Sequence, residues 1–296
     1  MLKKANLYLH LARPHQYVKN GFVWLPIFFG VKLGDLWALE QTLIAFAAFC
    51  LAAGGVYVLN DLKDIQEDRR HLTKKKRPLA SGAISPRGAV IFMAGLLLLA
   101  ALAGLLLPKP DFLLILGAYL ILNVAYSFFL KHHAIIDLVC IALGFVLRVL
   151  AGGVAAAVPL SHWIVIMTFL LAIFLALAKR RDDLLLAAEG QSARRSIEGY
   201  SLEFVSTSMA VMAAVIIVAY ILYTMSPSTI QKHGTDRLYL TGFWVVVGLL
   251  RYLQLVLVEN RSASPTEILL QDRFSQVVLT LWVLSFFFLL YNFGSN

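Results

Sequence analysis

The stretch Asn60-Asp61-Leu62-Lys63-Asp64-Ile65-Gln66-Glu67-Asp68 carries the densest chemistry in this sequence. On a helix, spacings of three and four residues stack the carboxylates of Asp61, Asp64 and Asp68 on one face within about two turns, with Asn60 one turn before Asp64. Like charges so placed repel one another unless a cation sits among them. Hard oxygen donors with room for water and phosphate suit Mg²⁺, which takes one or two carboxylates and completes its shell with substrate phosphates. The basic run Arg69, Arg70, Lys74, Lys75, Lys76 and Arg77 follows at once, offering positive charge to whatever anion the metal holds. These residues predict a metal-diphosphate site with Asn60, Asp61, Asp64 and Asp68 as ligands. The competing reading is a solvated loop of mixed charge.

Other polar groups gather in the same way. Lys179-Arg180-Arg181-Asp182-Asp183 ends a second apolar segment and is followed by Arg194, Arg195, Glu198 and Tyr200, a mixture of acid and base suited to phosphate, or a snorkelling cluster that only fixes orientation. Asp137 and Arg148 lie eleven residues apart, on nearly one helix face but roughly 16 Å apart along the axis, too far to pair. An arginine inside an apolar span is costly and marks a ligand or polar pathway, unless helix carbonyls or another acid satisfy it. Asn123, Tyr126, Ser127 and Lys131 end another apolar segment, and Lys19 and Asn20 open the first.

The elements that must position these groups are membrane helices. With 296 residues, 60% hydrophobic and only 15% charged, and a mean hydropathy of +0.77, the chain reads as an all-α, polytopic bundle rather than a soluble globule. Nine candidate spans, long enough to cross roughly 30 Å of hydrocarbon, lie near 16–32, 38–59, 86–107, 111–130, 135–157, 162–181, 202–225, 237–258 and 274–293. The first is poorest in apolar residues. With the N-terminus cytoplasmic, 20 of the 26 basic residues fall on inner segments and only Lys32, Lys109, Lys232 and Arg237 outside, which satisfies the positive-inside rule. The net charge of +9 is thereby assigned to membrane orientation and not to nucleic acid. Small residues in Ala52-Ala53-Gly54-Gly55 and around Gly152-Gly153 allow close helix approach. Cys50 and Cys140, each inside an apolar segment, are expected as free thiols.

No P-loop, HExxH, GxSxG or CxxC pair occurs, which removes the common nucleotide, zincin, serine-hydrolase and redox readings. The motif Asn60-Asp61-x-x-Asp64-x-x-x-Asp68, followed by Arg77-Pro78-Leu79-Ala80-Ser81-Gly82, resembles the signature of the UbiA superfamily of intramembrane prenyltransferases. The likeness continues through Arg13-Pro14-His15-Gln16-Tyr17-Val18-Lys19-Asn20, Ala125-Tyr126-Ser127, Asp137 with Gly144 to Arg148, Lys179-Arg180 with Asp183, Arg195 to Tyr200, and Pro265-Thr266-Glu267 with Asp272-Arg273. One departure narrows it. The second DxxxD motif of most members is missing, since Asp182 and Asp183 are followed four residues on by Leu186 and Ala187, and this fits a phosphoribosyltransferase branch of the superfamily better.

The resemblance implies one UbiA-type transmembrane domain over 1–296, nine helices, and a cytoplasmic active site in the cell membrane. It implies Mg²⁺-dependent transfer of phosphoribose from phosphoribosyl pyrophosphate to a polyprenyl phosphate, for a cell-envelope glycolipid precursor. Asp61, Asp64, Asp68 and Asp183 would be catalytic. Lys19, Asn60, Arg77, Tyr126, Lys131, Asp137, Arg148, Lys179, Arg180, Arg195 and Tyr200 would hold substrate, the cations offering the sugar's 5-phosphate a second anion site. The attacking phosphate is already an anion, so no strong base is required. Rival readings are an aromatic prenyltransferase of the same fold and a nine-helix transporter or scaffold; a homo-oligomer stays open.

Overall fold

The computed structural model describes residues 2–70, 74–188, 199–260, 267–268 and 271–293, and among them it contains helices and no strand. After α1 (Leu2–Ala12) comes a 3-10 segment, Pro14–Trp24, then α2 (Leu25–Phe29), α3 (Leu36–Lys63), α4 (Ile65–Arg70), α5 (Pro86–Leu105), α6 (Asp111–Phe128) and α7 (Ile136–Ala155). α8 (His162–Ala188), α9 (Leu202–Met225), α10 (Pro227–His233), α11 (Gly242–Leu257) and α12 (Arg273–Phe293) complete the order. Eight helices among the described residues are long and apolar enough to cross a membrane, matching the second to ninth expected spans. The first, 16–32, is instead the 3-10 segment running into the five-residue α2. Lys19, Asn20 and Gly21 deny it a continuous apolar surface, and helix stability in lipid depends on one.

Local chemistry sets the helix starts. Asp35 caps α3 by accepting from the Ala38 amide at 3.1 Å, Ser85 caps α5 through Gly88 at 3.2 Å just ahead of Pro86, and Ser201 caps α9 through Phe204 at 3.1 Å. Each acceptor satisfies one of the amides that a first turn leaves unbonded. Exposed Leu98, Leu99, Leu105, Leu114 and Ile121 give α5 and α6 the apolar outer surface that a lipid solvent favours.

The chain divides into two compact units, one formed by Met1–Lys131 with Leu143–Ser161 and the other by His132–Ala142 with His162–Asn296, so the division falls within α7. In the first unit α3 is the central helix. Val58 packs with Leu11, Leu79 and Ile84 near its end, and Ala45, Ala48, Phe49 and Ala52 pack with Ala100, Phe112 and Leu116 along its length. The small residues do what their spacing suggests. A β-carbon added to Gly55 would stand 2.8 Å from the Leu97 side chain, and one on Gly152 would stand 2.0 Å from the Val23 carbonyl oxygen. α7 therefore bears directly on the backbone of the 3-10 segment. In the second unit, Phe174 and Leu177 of α8, Val205 and Met209 of α9 and Leu255 of α11 share one buried cluster. Cys50 and Cys140 are free and buried, as expected.

Replacing Gly152 with Ala should displace the 3-10 segment, because a backbone carbonyl cannot rotate away as a side chain can. The expected loss is about 2 to 3 kcal/mol, the upper range for overpacking, read as a lower melting temperature in detergent, whereas Gly95→Ala on α5, which meets nothing within 4 Å, should leave melting unchanged.

Candidate active site

α3 carries Asp61 to the end of its last turn, and the helix then breaks. Asp64, with φ −92° and ψ 9°, is its C-cap, and α4 starts again at Ile65. The break decides which carboxylates meet. Asp61 and Asp68, seven residues apart, remain on a common side, both buried. One guanidinium nitrogen, Arg77 Nη1, donates to Asp61 Oδ1 at 3.1 Å and to Asp68 Oδ2 at 2.7 Å. Arg13 Nη2 also donates to Asp61 Oδ1. Asp64 turns elsewhere: its carboxylate is partly exposed and accepts from Lys131 Nζ at 3.4 Å. The expected stack of three acids is thus corrected to a pair plus one, and among the described residues no group of three His, Cys, Asp or Glu side chains converges. Asn60 is also withdrawn from the acids, since its Oδ1 accepts from the Ser127 hydroxyl.

The segment that delivers Arg77 is a compact turn. Ser81 N donates to the Arg77 carbonyl at 2.9 Å, Gly82 N to Leu79 O at 3.2 Å and Ile84 N to Pro78 O at 3.0 Å. Gly82 has φ +79°, open to glycine at no cost, and Leu79 and Ile84 anchor the turn in the core. Arg69 Nε adds a bond to Ala80 O at 3.3 Å. The Arg77-to-Gly82 motif is therefore the scaffold of one side chain. Arg13 is held differently, by a left-handed backbone (φ 54°, ψ 60°) between α1 and Pro14, a conformation that costs a non-glycine residue about 1 to 3 kcal/mol. Its guanidinium lies 5.4 Å from the Tyr57 ring centre. Burial pulls the Arg13 pKa below the usual arginine value, and Asp61 opposes that pull.

Two carboxylates converging on a position already taken by a cationic nitrogen are a suitable pair for a hard divalent ion, which needs only one or two protein carboxylates when phosphates supply the rest. Asp61 and Asp68 fit that role directly. Asp64 is paired with Lys131 instead, while Arg13 and Arg77 place phosphate-binding donors on the pair itself.

The second unit holds a different cluster. Arg180 donates from Nε to Asp137 Oδ2 at 2.7 Å and from Nη1 to Asp183 Oδ2 at 3.0 Å, with Arg180, Asp137 and Asp183 all buried. Tyr200 donates its hydroxyl to Asp137 and receives the Ile135 amide at 2.7 Å; burial, then the Asp137 bond, raises its pKa above the usual tyrosine value. Lys179 pairs with Asp182 and lies 3.5 Å from Asp183. The expected second anion site is corrected here: Lys179 and Arg180 already face carboxylates three and four residues along their own helix, and Asp137 and Tyr200 hold the arginine in place. Asp183 is a partner in that network. Arg195 lies outside the described residues. Lys19 and Tyr126 are half-buried within the first unit.

Arg148 and Asp137, as expected, have separate partners. The buried Arg148 donates to Asn20 Oδ1 and the Gly144 carbonyl, both at 2.7 Å, and to the Tyr119 hydroxyl at 3.0 Å. Sequence reasoning missed Arg13, Ser127 and Tyr119 as site residues. Arg13 and Ser127 left a signal, the first in the Arg13-Pro14 stretch and the second in the polar end of α6, but neither was assigned a site role; Tyr119 left none.

Replacing Arg77 with Gln should leave Asp61 and Asp68 facing each other without their shared cation. The variant is expected to melt lower than wild type in metal-free buffer and to recover most of that loss in millimolar Mg²⁺, whereas wild type gains little. Equal Mg²⁺ responses would mean that the two carboxylates do not share a cation position.

The model of the UbiA prenyltransferase family matches residues 23–269. The decaprenyl-phosphate phosphoribosyltransferase of Mycolicibacterium smegmatis is 31% identical over 92% of this chain and 88% of its own length. That of Corynebacterium glutamicum is 32% identical over 92% of this chain and 82% of its own. Among solved structures, a UbiA homologue from Archaeoglobus fulgidus bound to GPP and Mg²⁺ aligns with a TM-score of 0.71 at 19% identity, covering 96% of this chain and 99% of that one. On sequence and fold together, the chain belongs to the UbiA prenyltransferase family.

Proposed function

We propose that this protein transfers the phosphoribosyl group of phosphoribosyl pyrophosphate to a polyprenyl phosphate, releasing pyrophosphate, with Asp61 and Asp68 as the centre of a Mg²⁺-diphosphate site. The observation that carries the reading is the Arg77 bridge between the buried Asp61 and Asp68, with Arg13 also on Asp61 and Lys131 on the neighbouring Asp64, in a chain alike over nearly its whole length to enzymes named for that transfer. The N-terminus and the acidic motif are assigned to the cytoplasmic side from the distribution of basic residues.

Mg²⁺ would be held by Asp61 and Asp68 and, when bound, would supply charge neutralisation at the leaving diphosphate. The chain's own groups do the rest. Arg13, Arg77 and Lys131 exchange their carboxylate partners for phosphate oxygens, a switch between partners of like charge. The bond between ribose C1 and the diphosphate oxygen breaks with its electron pair leaving on pyrophosphate, and an anionic oxygen of the lipid phosphate forms the new bond to C1. No residue need act as a strong base. Burial of Asp61 and Asp68 strengthens the charge interactions they make.

The test incubates purified protein with Mg²⁺, a polyprenyl phosphate and radiolabelled phosphoribosyl pyrophosphate. Label should appear in the lipid phase for wild type and fall by about 100-fold or more in Asp61→Asn and Asp68→Asn, the scale expected for losing a charged group at the reacting centre. Consumption of geranyl diphosphate with an aromatic acceptor, and no saturable affinity for phosphoribosyl pyrophosphate, would move the protein to aromatic prenylation.

A further inference from the structure

Two arginines are fully buried among the described residues, Arg148 and Arg180. Arg180 has two carboxylates; Arg148 has none. A guanidinium inside a membrane span without a counter-ion is an expensive arrangement. The surroundings of Arg148 ease its cost without neutralising it. Its carbon lies 4.7 Å from the Tyr119 ring centre and 5.4 Å from that of Phe145, and its three bonds go to the neutral acceptors Asn20, Gly144 and Tyr119.

That bonding pattern leaves donors unspent. A guanidinium has five N–H bonds, so two remain; the Tyr119 hydroxyl accepts from Arg148 and keeps its own proton to donate. Asn20 spends one amide hydrogen on Cys50 Sγ at 3.3 Å, a weak acceptor that a stronger one would displace. A net positive charge with uncommitted donors on three side chains, framed by aromatic rings, suits a phosphate monoester with an apolar tail.

Resting on the phosphoribosyl-transfer reading, we propose that Arg148, Asn20 and Tyr119 seat the phosphate of the lipid acceptor. Depth favours the lipid phosphate over the 5-phosphate of the sugar donor. The guanidinium bonds the Gly144 carbonyl, roughly 12 Å along α7 from its start, and on α3 the adjoining Cys50 lies roughly 16 Å along the axis from Asp61. The seat therefore lies nearer the middle of the span than Asp61, which stands in the last turn of α3, and a lipid phosphate reaches it from that side. Tyr57, whose ring underlies Arg13, stands between the two positions on α3. An isoprenoid tail enters such a seat from the bilayer, where a free sugar phosphate has no access.

The test needs no turnover. Farnesyl phosphate and farnesol are titrated against the full chain in detergent, without Mg²⁺ or sugar donor. Wild type should bind the phosphate at least about tenfold more tightly, the scale of one charge-assisted hydrogen bond. Arg148→Gln should erase that preference, Arg148→Lys should keep part of it, and Tyr119→Phe, which retains the ring, should weaken it several-fold. If Arg148→Gln does not fold, Tyr119→Phe and Asn20→Ala decide, and an unchanged preference in both overturns the proposal. So does an intact preference in folded Arg148→Gln, or a variant whose only change is a raised KM for phosphoribosyl pyrophosphate. A seat that behaves as expected in a protein that transfers no label would stand while the transfer reading fell; label transfer with an indifferent Arg148 would sink the seat alone.

Discussion

One nitrogen atom between two buried carboxylates organises this protein's chemical end. Arg77 Nη1 touches Asp61 and Asp68 together, and each neighbouring feature follows from holding those three groups in place. The break at Asp64 leaves the acids two turns apart in sequence on a common side. The turn from Arg77 to Gly82, pinned by Leu79, delivers the guanidinium, and the strained backbone of Arg13 brings a second one. Two acids with one cation between them form an arrangement that a metal and a diphosphate can enter by exchange, each new charge replacing one already present.

The bilayer as solvent explains why most of the remaining intramembrane charges are paired, Arg148 being the exception among the described residues. Without water to hydrate them, buried ions must find partners within the protein. Arg180 is matched by Asp137 and Asp183, and in the same unit Arg251 donates to both oxygens of Asp272, whose pKa the Arg251 bond and the Ser275 contacts hold below the usual carboxylate range. Apolar attraction between helices is weak in lipid, so close packing substitutes for it. Gly55 and Gly152 sit where even one β-carbon would collide. The 3-10 segment, which carries Asn20 to Arg148, depends on that contact for its position.

Much of the fold was legible in the sequence because apolar length is a one-dimensional property. Eight of the nine expected spans are helices at nearly the expected bounds, and the irregular one is the segment interrupted by Lys19, Asn20 and Gly21. The site was legible in part. Spacing placed Asp61 and Asp68 together, since helical periodicity survives a single break, but it could not foresee that Asp64 would be the break. Partners far apart in the chain were beyond any spacing rule: Arg13 meets Asp61 across 48 residues and Asn20 meets Arg148 across 128. The cations of Lys179-Arg180 looked available because their acids are their own near neighbours, and a run of mixed charge does not reveal which charges cancel.

The most direct measurement of the central claim is magnetic resonance on Mn²⁺ as a probe for Mg²⁺. With pyrophosphate present, the bound ion should show phosphorus hyperfine coupling in the wild-type protein, and Asp61→Asn and Asp68→Asn should each lose the signal while remaining folded. A phosphorus-coupled Mn²⁺ signal undiminished in both variants would contradict the account.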